Sequence, residues 1–228
     1  LLNYSKQYLY YLKNSSTMMF KRDFRFSTLI LAGIIIIIFL FQTTLPGFTD
    51  AFKLTGKDIL EKPWILLTSI FLHANLPHLL LNLFSLVLFG IILENIIGTK
   101  RYLSIFLTTG VIASIISSFF YASALGASGA IFGILGVLTI LRPKMIIWVY
   151  GIPMPMVIAS ILYAIINFFG AYFNLGNTGY IAHLIGLITG FFLGMFYKKD
   201  YKEKKILSHQ DKILEKDLDS YEREHHLR

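Results

Sequence analysis

The sequence predicts an all-α, polytopic membrane protein built as a bundle of six transmembrane helices. Three observations predict it. Hydrophobic residues make up 55% of the 228 residues and charged residues only 15%, where soluble domains carry about 25% charged residues. The charges are segregated: between positions 102 and 197 the sequence holds only Arg142 and Lys144. The apolar residues gather into runs near the roughly 20 residues that a helix needs to cross the hydrocarbon. This composition excludes a soluble enzyme, a disordered chain and a nucleic-acid binder. The net charge of +8 sits in tails and short loops, as it does in membrane proteins. The absence of cysteine excludes disulfides, thiolate metal sites and a cysteine nucleophile.

The spans follow in order. The first is 26–45, around the run Ile34 to Ile38. It lies too far in, is too long and lacks a small-residue cleavage site, so it reads as a span and not a signal peptide. The second starts after Pro77 and covers 78–97. The third covers 102–121 and follows Lys100 and Arg101. The fourth covers 127–141 and stops at Arg142. The fifth covers 153–169 and the sixth 179–197. Residues 1–25 and 198–228 are tails. The first tail is rich in tyrosine and lysine and suits an anionic leaflet. The second has Ile206, Leu207, Ile213, Leu214 and Leu218 at roughly helical spacing, which suits an amphipathic helix or a solvated tail. Eighteen of the 21 lysines and arginines fall in the tails and the loops after spans two and four; Lys53, Lys57 and Lys62 fall in the loop after span one. That asymmetry places both termini in the cytoplasm, and the cell membrane is the expected location.

The fourth span is short. From Ser128 to Arg142 it rises about 21 Å against a core of about 30 Å. Its outer end therefore stops at membrane depth, where backbone must be enclosed by protein or line a wet cavity. Polar residues inside spans are costly and mark function by default. His78, Asn82, Ser128 and His183 all fall at the extracytoplasmic ends of their spans, so three helices bring polar groups to one depth.

Ser128 stands in Gly126-Ala127-Ser128-Gly129. A serine in a membrane helix more often bonds its own i−4 carbonyl or packs as a small residue. Here the flanking glycines allow close approach of backbone to a substrate, and the serine opens a helix whose free N–H groups suit a developing oxyanion. His183 is followed by Gly186, Gly190 and Gly194 on nearly one face, and Gly129, Gly133 and Gly136 form a matching stripe. Such stripes let helix backbones approach, which brings the imidazole towards the hydroxyl. A serine beside a general base is an activated nucleophile; a structural interhelical histidine is the alternative. His78 and Asn82, at i and i+4, share a face. They are candidate oxyanion donors beside the Ser128 N–H, or else interhelical glue. His73 falls in the preceding loop as a supporting or stacking residue. No Asp or Glu occurs between 95 and 199, so the site reads as a Ser–His dyad oriented by packing, not by a carboxylate. A zinc site lacks ligands and HExxH, and an aspartyl intramembrane protease would need paired carboxylates in spans. No metal or cofactor is expected.

The combination of His73, His78-Leu-Leu-Leu-Asn82, Gly126-Ala-Ser128-Gly129 and Ala182-His183-Leu-Ile-Gly186-Leu-Ile-Thr-Gly190 resembles the rhomboid intramembrane serine proteases over about residues 60 to 195. The resemblance implies a six-helix core, Ser128 as nucleophile, His183 as general base, and an oxyanion hole from His78, Asn82 and the Ser128 N–H. It also implies membrane-anchored protein substrates cleaved in or near a transmembrane segment. One departure is visible: many members carry Trp-Arg in the first external loop, whereas Pro63-Trp64-Ile65 has isoleucine there. Lateral entry past the fifth span, with residues 170–179 as a cap hinged at Gly170, Gly176 and Gly179, is the expected access route. An inactive relative acting as a membrane chaperone or escort should lack the serine or the base. A transporter should show repeats and a midplane site, and neither is present in the sequence.

Overall fold

The computed structural model describes residues 26–149, 151–176 and 178–224, so the N-terminal tail lies outside the described residues. In chain order the elements are α1 (Ser27–Thr44), α2 (Phe48–Phe52), β1 (Leu54–Thr55), α3 (Ile65–Thr68), α4 (Leu76–Ile97), α5 (Thr99–Ser117), β2 (Ser123–Ala124), α6 (Ser128–Leu141), β3 (Ile146–Val149), β4 (Ile152–Pro155), α7 (Met156–Tyr172) and α8 (Tyr180–Glu224). The described residues of 26–198 form one compact body. The described part of a second unit, residues 199–224, is helical.

The protein is predominantly helical. By length and composition α1, α4 and the Tyr180–Lys202 part of α8 are able to cross a membrane, whereas α6 and α7 are apolar but shorter. Helix α5 has 19 residues, but Lys100 and Arg101 stand in its first turn. Helix α6 is the core of the body. Nearly every residue from Gly129 to Leu141 is buried, as expected of a helix that is apolar on all sides. The outer helices turn Ile37, Leu40, Leu81, Phe84, Ile161 and Phe196 outward, all more than half exposed. That is lipid-facing surface in a chain of this composition.

The end of the body away from Ser128 is tied by Glu94, only 1% exposed. Its carboxylate accepts hydrogen bonds from the Ser27 hydroxyl, the Thr28 N–H (3.0 Å), the Thr28 hydroxyl (2.7 Å) and the Thr99 hydroxyl (2.7 Å). A buried carboxylate is tolerable only when its oxygens are served in this way. The knot joins the start of α1, the end of α4 and the start of α5.

The structure departs from the all-α expectation in two small sheets. Strands β1 and β2 pair antiparallel through Leu54 with Ala124 and Thr55 with Ser123. Strands β3 and β4 form a hairpin with Val149 opposite Ile152, closed at Gly151, whose φ of 81° suits glycine. The stretch 146–149 alternates exposed and buried residues, the period of a strand and not of a helix. Pro153 and Pro155 fall in β4, so the fifth helix starts at Met156 and runs on to Tyr172 instead of covering 153–169. The third helix is displaced the other way. Gly98, with φ of 92°, stands immediately before it, so it starts at Thr99 and stops at Ser117. At the first-loop departure from the family pattern, Ile65 is 1% exposed and packs inward, while Trp64 is 49% exposed.

Candidate active site

The local sequence fixes each side chain before the helices meet. Asn75 caps α4: its side-chain oxygen accepts the His78 N–H at 2.9 Å, and Pro77 occupies the first turn. That sets His78 in the first turn of the helix. The loop before α6 is pinned by the Gly126 N–H donating to the Ser69 carbonyl at 2.9 Å. Gly126 has φ of 128°, a conformation open in practice only to glycine. Helix α6 then begins at Ser128 with no side-chain cap, leaving its first-turn N–H groups to a ligand. The start of α8 is held by the Ile181 N–H donating to the Tyr121 hydroxyl at 3.1 Å.

The glycine stripes bring α6 and α8 into backbone contact. A Cβ added at Gly186 would fall on the Gly129 carbonyl oxygen, one at Gly190 on the Gly133 carbonyl oxygen, and one at Gly136 on the Leu187 carbonyl oxygen. Gly133 also has no room beside the Thr109 side chain. With the axes this close, His183 Nε2 lies 2.8 Å from Ser128 Oγ, a normal hydrogen-bond length.

Two further contacts hold the imidazole. Phe132 stacks on it, with ring centroids 4.4 Å apart and planes 10° apart. Asn167 Oδ1 lies 2.7 Å from His183 Nδ1. The sequence reading assigned ring orientation to packing alone; the structure adds this amide from α7. The signal was present. Ser160, Tyr163 and Asn167 are spaced i, i+3, i+7 on an otherwise apolar helix, which makes a polar stripe. Ser160 contacts the Thr139 hydroxyl on α6, and Tyr163 packs edge-on against Phe132.

His78 and Asn82 line the neighbouring wall. The His78 ring lies against Gly126: a Cβ there would be 3.1 Å from His78 Nε2 and 3.9 Å from Ser128 Oγ. His78 Nδ1 accepts the Ala74 N–H at 3.4 Å, so the neutral ring carries its proton on Nε2, next to Gly126. Asn82 is 5% exposed, and its amide donates to the His78 carbonyl at 2.8 Å. His73 is 1% exposed and packs edge-to-face on His78, with centroids 5.1 Å apart. Its backbone is clasped by Gln42, which accepts the His73 N–H at 2.9 Å and donates to its carbonyl at 3.2 Å. Burial, then the adjacent His78, pushes the His73 pKa down to about 4. Of the cap glycines, Gly170 lies within α7, packed against the Tyr180 ring with no room for a Cβ. It serves packing and not hinging. Gly176 has φ of 74°. Among the described residues no cluster of three or more His, Cys, Asp or Glu side chains converges on a metal position.

Apolar helices enclosing a cluster of polar side chains at one end define an integral membrane protein with an internal site. The comparison of sequences then gives the family. Residues 60–200 match the Rhomboid domain, and the chain belongs to the rhomboid family. It is 40% identical to Rhomboid protease GluP of Bacillus subtilis over 134 residues, 57% of this chain and 25% of that protein. It is 35% identical to Putative rhomboid protease YdcA of the same organism over 136 residues, 57% of this chain and 65% of the relative. It is 28% identical to the mitochondrial Rhomboid protein 1 of Saccharomyces cerevisiae over 168 residues, 69% of this chain and 49% of the relative. The matched segments thus span between a quarter and two thirds of these relatives.

Proposed function

We propose that this chain is an intramembrane serine endopeptidase that cleaves transmembrane protein substrates. The observation that carries the proposal is the 2.8 Å approach of His183 Nε2 to Ser128 Oγ across α6 and α8. His183 takes the Ser128 hydroxyl proton as Oγ attacks a substrate carbonyl carbon. The oxyanion is held by His78 Nε2–H, the Asn82 amide and the Ser128 N–H, donors preorganised where charge develops. The tetrahedral species collapses, the imidazolium returns its proton to the departing amine, and an acyl-enzyme remains. Water, deprotonated by His183, then releases the acid and restores the hydroxyl.

Six spans, with both termini cytoplasmic in the cell membrane, complete the proposal. In that arrangement α6 ends short of the outer surface, and water reaches Ser128 from outside. Helix α7 is the lateral gate and the loop after it the cap. The names of the two Bacillus relatives, Rhomboid protease GluP and Putative rhomboid protease YdcA, support the activity.

The test is cleavage of a single-span reporter protein in reconstituted membranes by wild type, Ser128→Ala and His183→Ala. Cleavage by wild type alone is the expected result. Cleavage by purified Ser128→Ala would refute the assignment of Ser128 as the nucleophile.

A further inference from the structure

We propose that Asn167 is a positioning residue for His183: it holds the imidazole in the one tautomer that can accept the Ser128 proton, and it does so from helix α7. The inference rests on the serine endopeptidase reading above and extends it to a residue outside the family motifs.

The argument starts from which end of the amide faces the ring. Asn167 Nδ2 donates to the Tyr163 carbonyl one turn earlier, at 2.8 Å. That use of the NH2 group turns Oδ1 towards His183 Nδ1, 2.7 Å away. Oδ1 can only accept, so Nδ1 carries the hydrogen. In a neutral imidazole this leaves Nε2 with its lone pair, and Nε2 is the atom 2.8 Å from Ser128 Oγ. The other tautomer would set an N–H towards the serine and two lone pairs against each other at Asn167. The ring plane is fixed separately by Phe132. Asn167 is 4% exposed, so water does not compete for the bond.

The bond also acts after proton transfer. When Nε2 takes the serine proton, the Nδ1–H remains on Asn167 Oδ1, and the amide dipole faces the new imidazolium. An uncharged acceptor stabilises that cation less than a carboxylate would. Ser128 and Phe132 from α6 and Asn167 from α7 contact His183, and no Asp or Glu occurs between 95 and 199 on these helices. Because Asn167 rides on α7, a displacement of α7 away from α8 releases Nδ1 and lets the ring change tautomer. Substrate entry past α7 would then leave the base disarmed until the helix returns.

The alternative is that Asn167 only glues α7 to α8. Full-length protein in proteoliposomes separates the two, using wild type, Ser128→Ala, Asn167→Leu and Asn167→Asp. Each is measured for kcat, KM, pH profile and thermal unfolding. Positioning predicts that Asn167→Leu loses about 10–100-fold in kcat, the usual cost of losing such an orienting partner, with KM within twofold. It also predicts that Asn167→Asp, nearly the same shape, retains cleavage and moves the acid limb of kcat against pH upward by about 1–3 pH units, the shift an adjacent carboxylate gives a histidine. The Asp variant reads out even where the Leu variant does not fold. If wild type cleaves, Ser128→Ala does not, Asn167→Leu keeps kcat within twofold and the Asp profile stays in place, the positioning role is overturned while the protease reading stands. If wild type is no faster than Ser128→Ala, the protease reading fails and takes the positioning role with it.

Discussion

Adding one carbon to Gly186 tests how the site is held together. An alanine Cβ there would fall on the Gly129 carbonyl oxygen, with the Gly129 carbonyl carbon 2.9 Å away. Both obstacles are backbone, in the residue next to Ser128, so no side chain can swing aside. Helices α6 and α8 must separate locally by an amount on the order of 1 Å, a displacement that can cost about 100-fold in rate when it falls on reacting groups. Overpacking of this kind costs about 1–3 kcal/mol of stability. Gly33 on α1 is the matched control, because a Cβ there meets nothing within 4 Å. Gly33→Ala should leave activity unchanged, and alanine is the better helix former. The assay is reporter cleavage in proteoliposomes with thermal unfolding of the same preparations. Gly186→Ala should lose most of its kcat and unfold earlier, while Gly33→Ala does neither. Wild-type kcat and stability in Gly186→Ala would refute the claim that backbone contact sets the Ser128 to His183 distance.

Other predictions follow from the same geometry. Gly126→Ala should lower kcat at least tenfold, since a Cβ would sit 2.8 Å from His78 Cε1 at φ of 128°, and strained backbone of that kind costs about 1–3 kcal/mol; kinetics equal to wild type would count against His78 as a site wall. Glu94→Ala should destabilise by about 2 kcal/mol or more, because it strands the N–H and hydroxyl of fully buried Thr28 at about 1–3 kcal/mol per buried unpaired group; an unchanged midpoint in detergent-titration unfolding would contradict the knot. His73 stays neutral in the fold down to about pH 4, whereas the unfolded chain protonates it near pH 6.5. The unfolded state therefore binds more protons in that window, and the His73 contribution to stability falls as pH drops from 6.5 to 4, by about 3 kcal/mol. His73→Phe should flatten that slope, and an identical pH dependence in the variant would remove His73 as its source.

The parts of this fold legible in the sequence are those written in local periodicity. Apolar runs and isolated charges locate the helices, since each helix answers to lipid or core along its own length. Boundaries were less legible where one residue overrides the run: Gly98 moves the start of α5, and Pro153 and Pro155 delay α7. The 146–155 hairpin was lost inside an apolar stretch because its period of two is only a few residues long. In the site, Ser128, His183, His78 and Asn82 could be named because each interrupts an apolar helix at one depth. Asn167 was missed for a different reason. A search for a carboxylate partner passes over a neutral amide, and the bond joins residues 16 apart on two helices whose facing is decided by the glycines between α6 and α8 and by the Thr139–Ser160 contact.

That division explains why glycines and polar side chains carry different information here. A glycine stripe states that two backbones meet but not which side chains the meeting aligns. Gly129 and Gly186 are chemically silent, yet their contact fixes the height of Ser128 against His183, and the next contact, Gly133 with Gly190, fixes the tilt. Once height and tilt are set, the His183 side chain still has its χ1 and χ2 rotations. Phe132 restricts them by stacking from α6, and Asn167 chooses the tautomer from α7. Three of these constraints come from the α6–α8 pair and one from a helix held to α6 through Thr139 and Ser160. Under the proposed function the spacing of serine and base is therefore set by α6 and α8, while the tautomer of the base is set from α7.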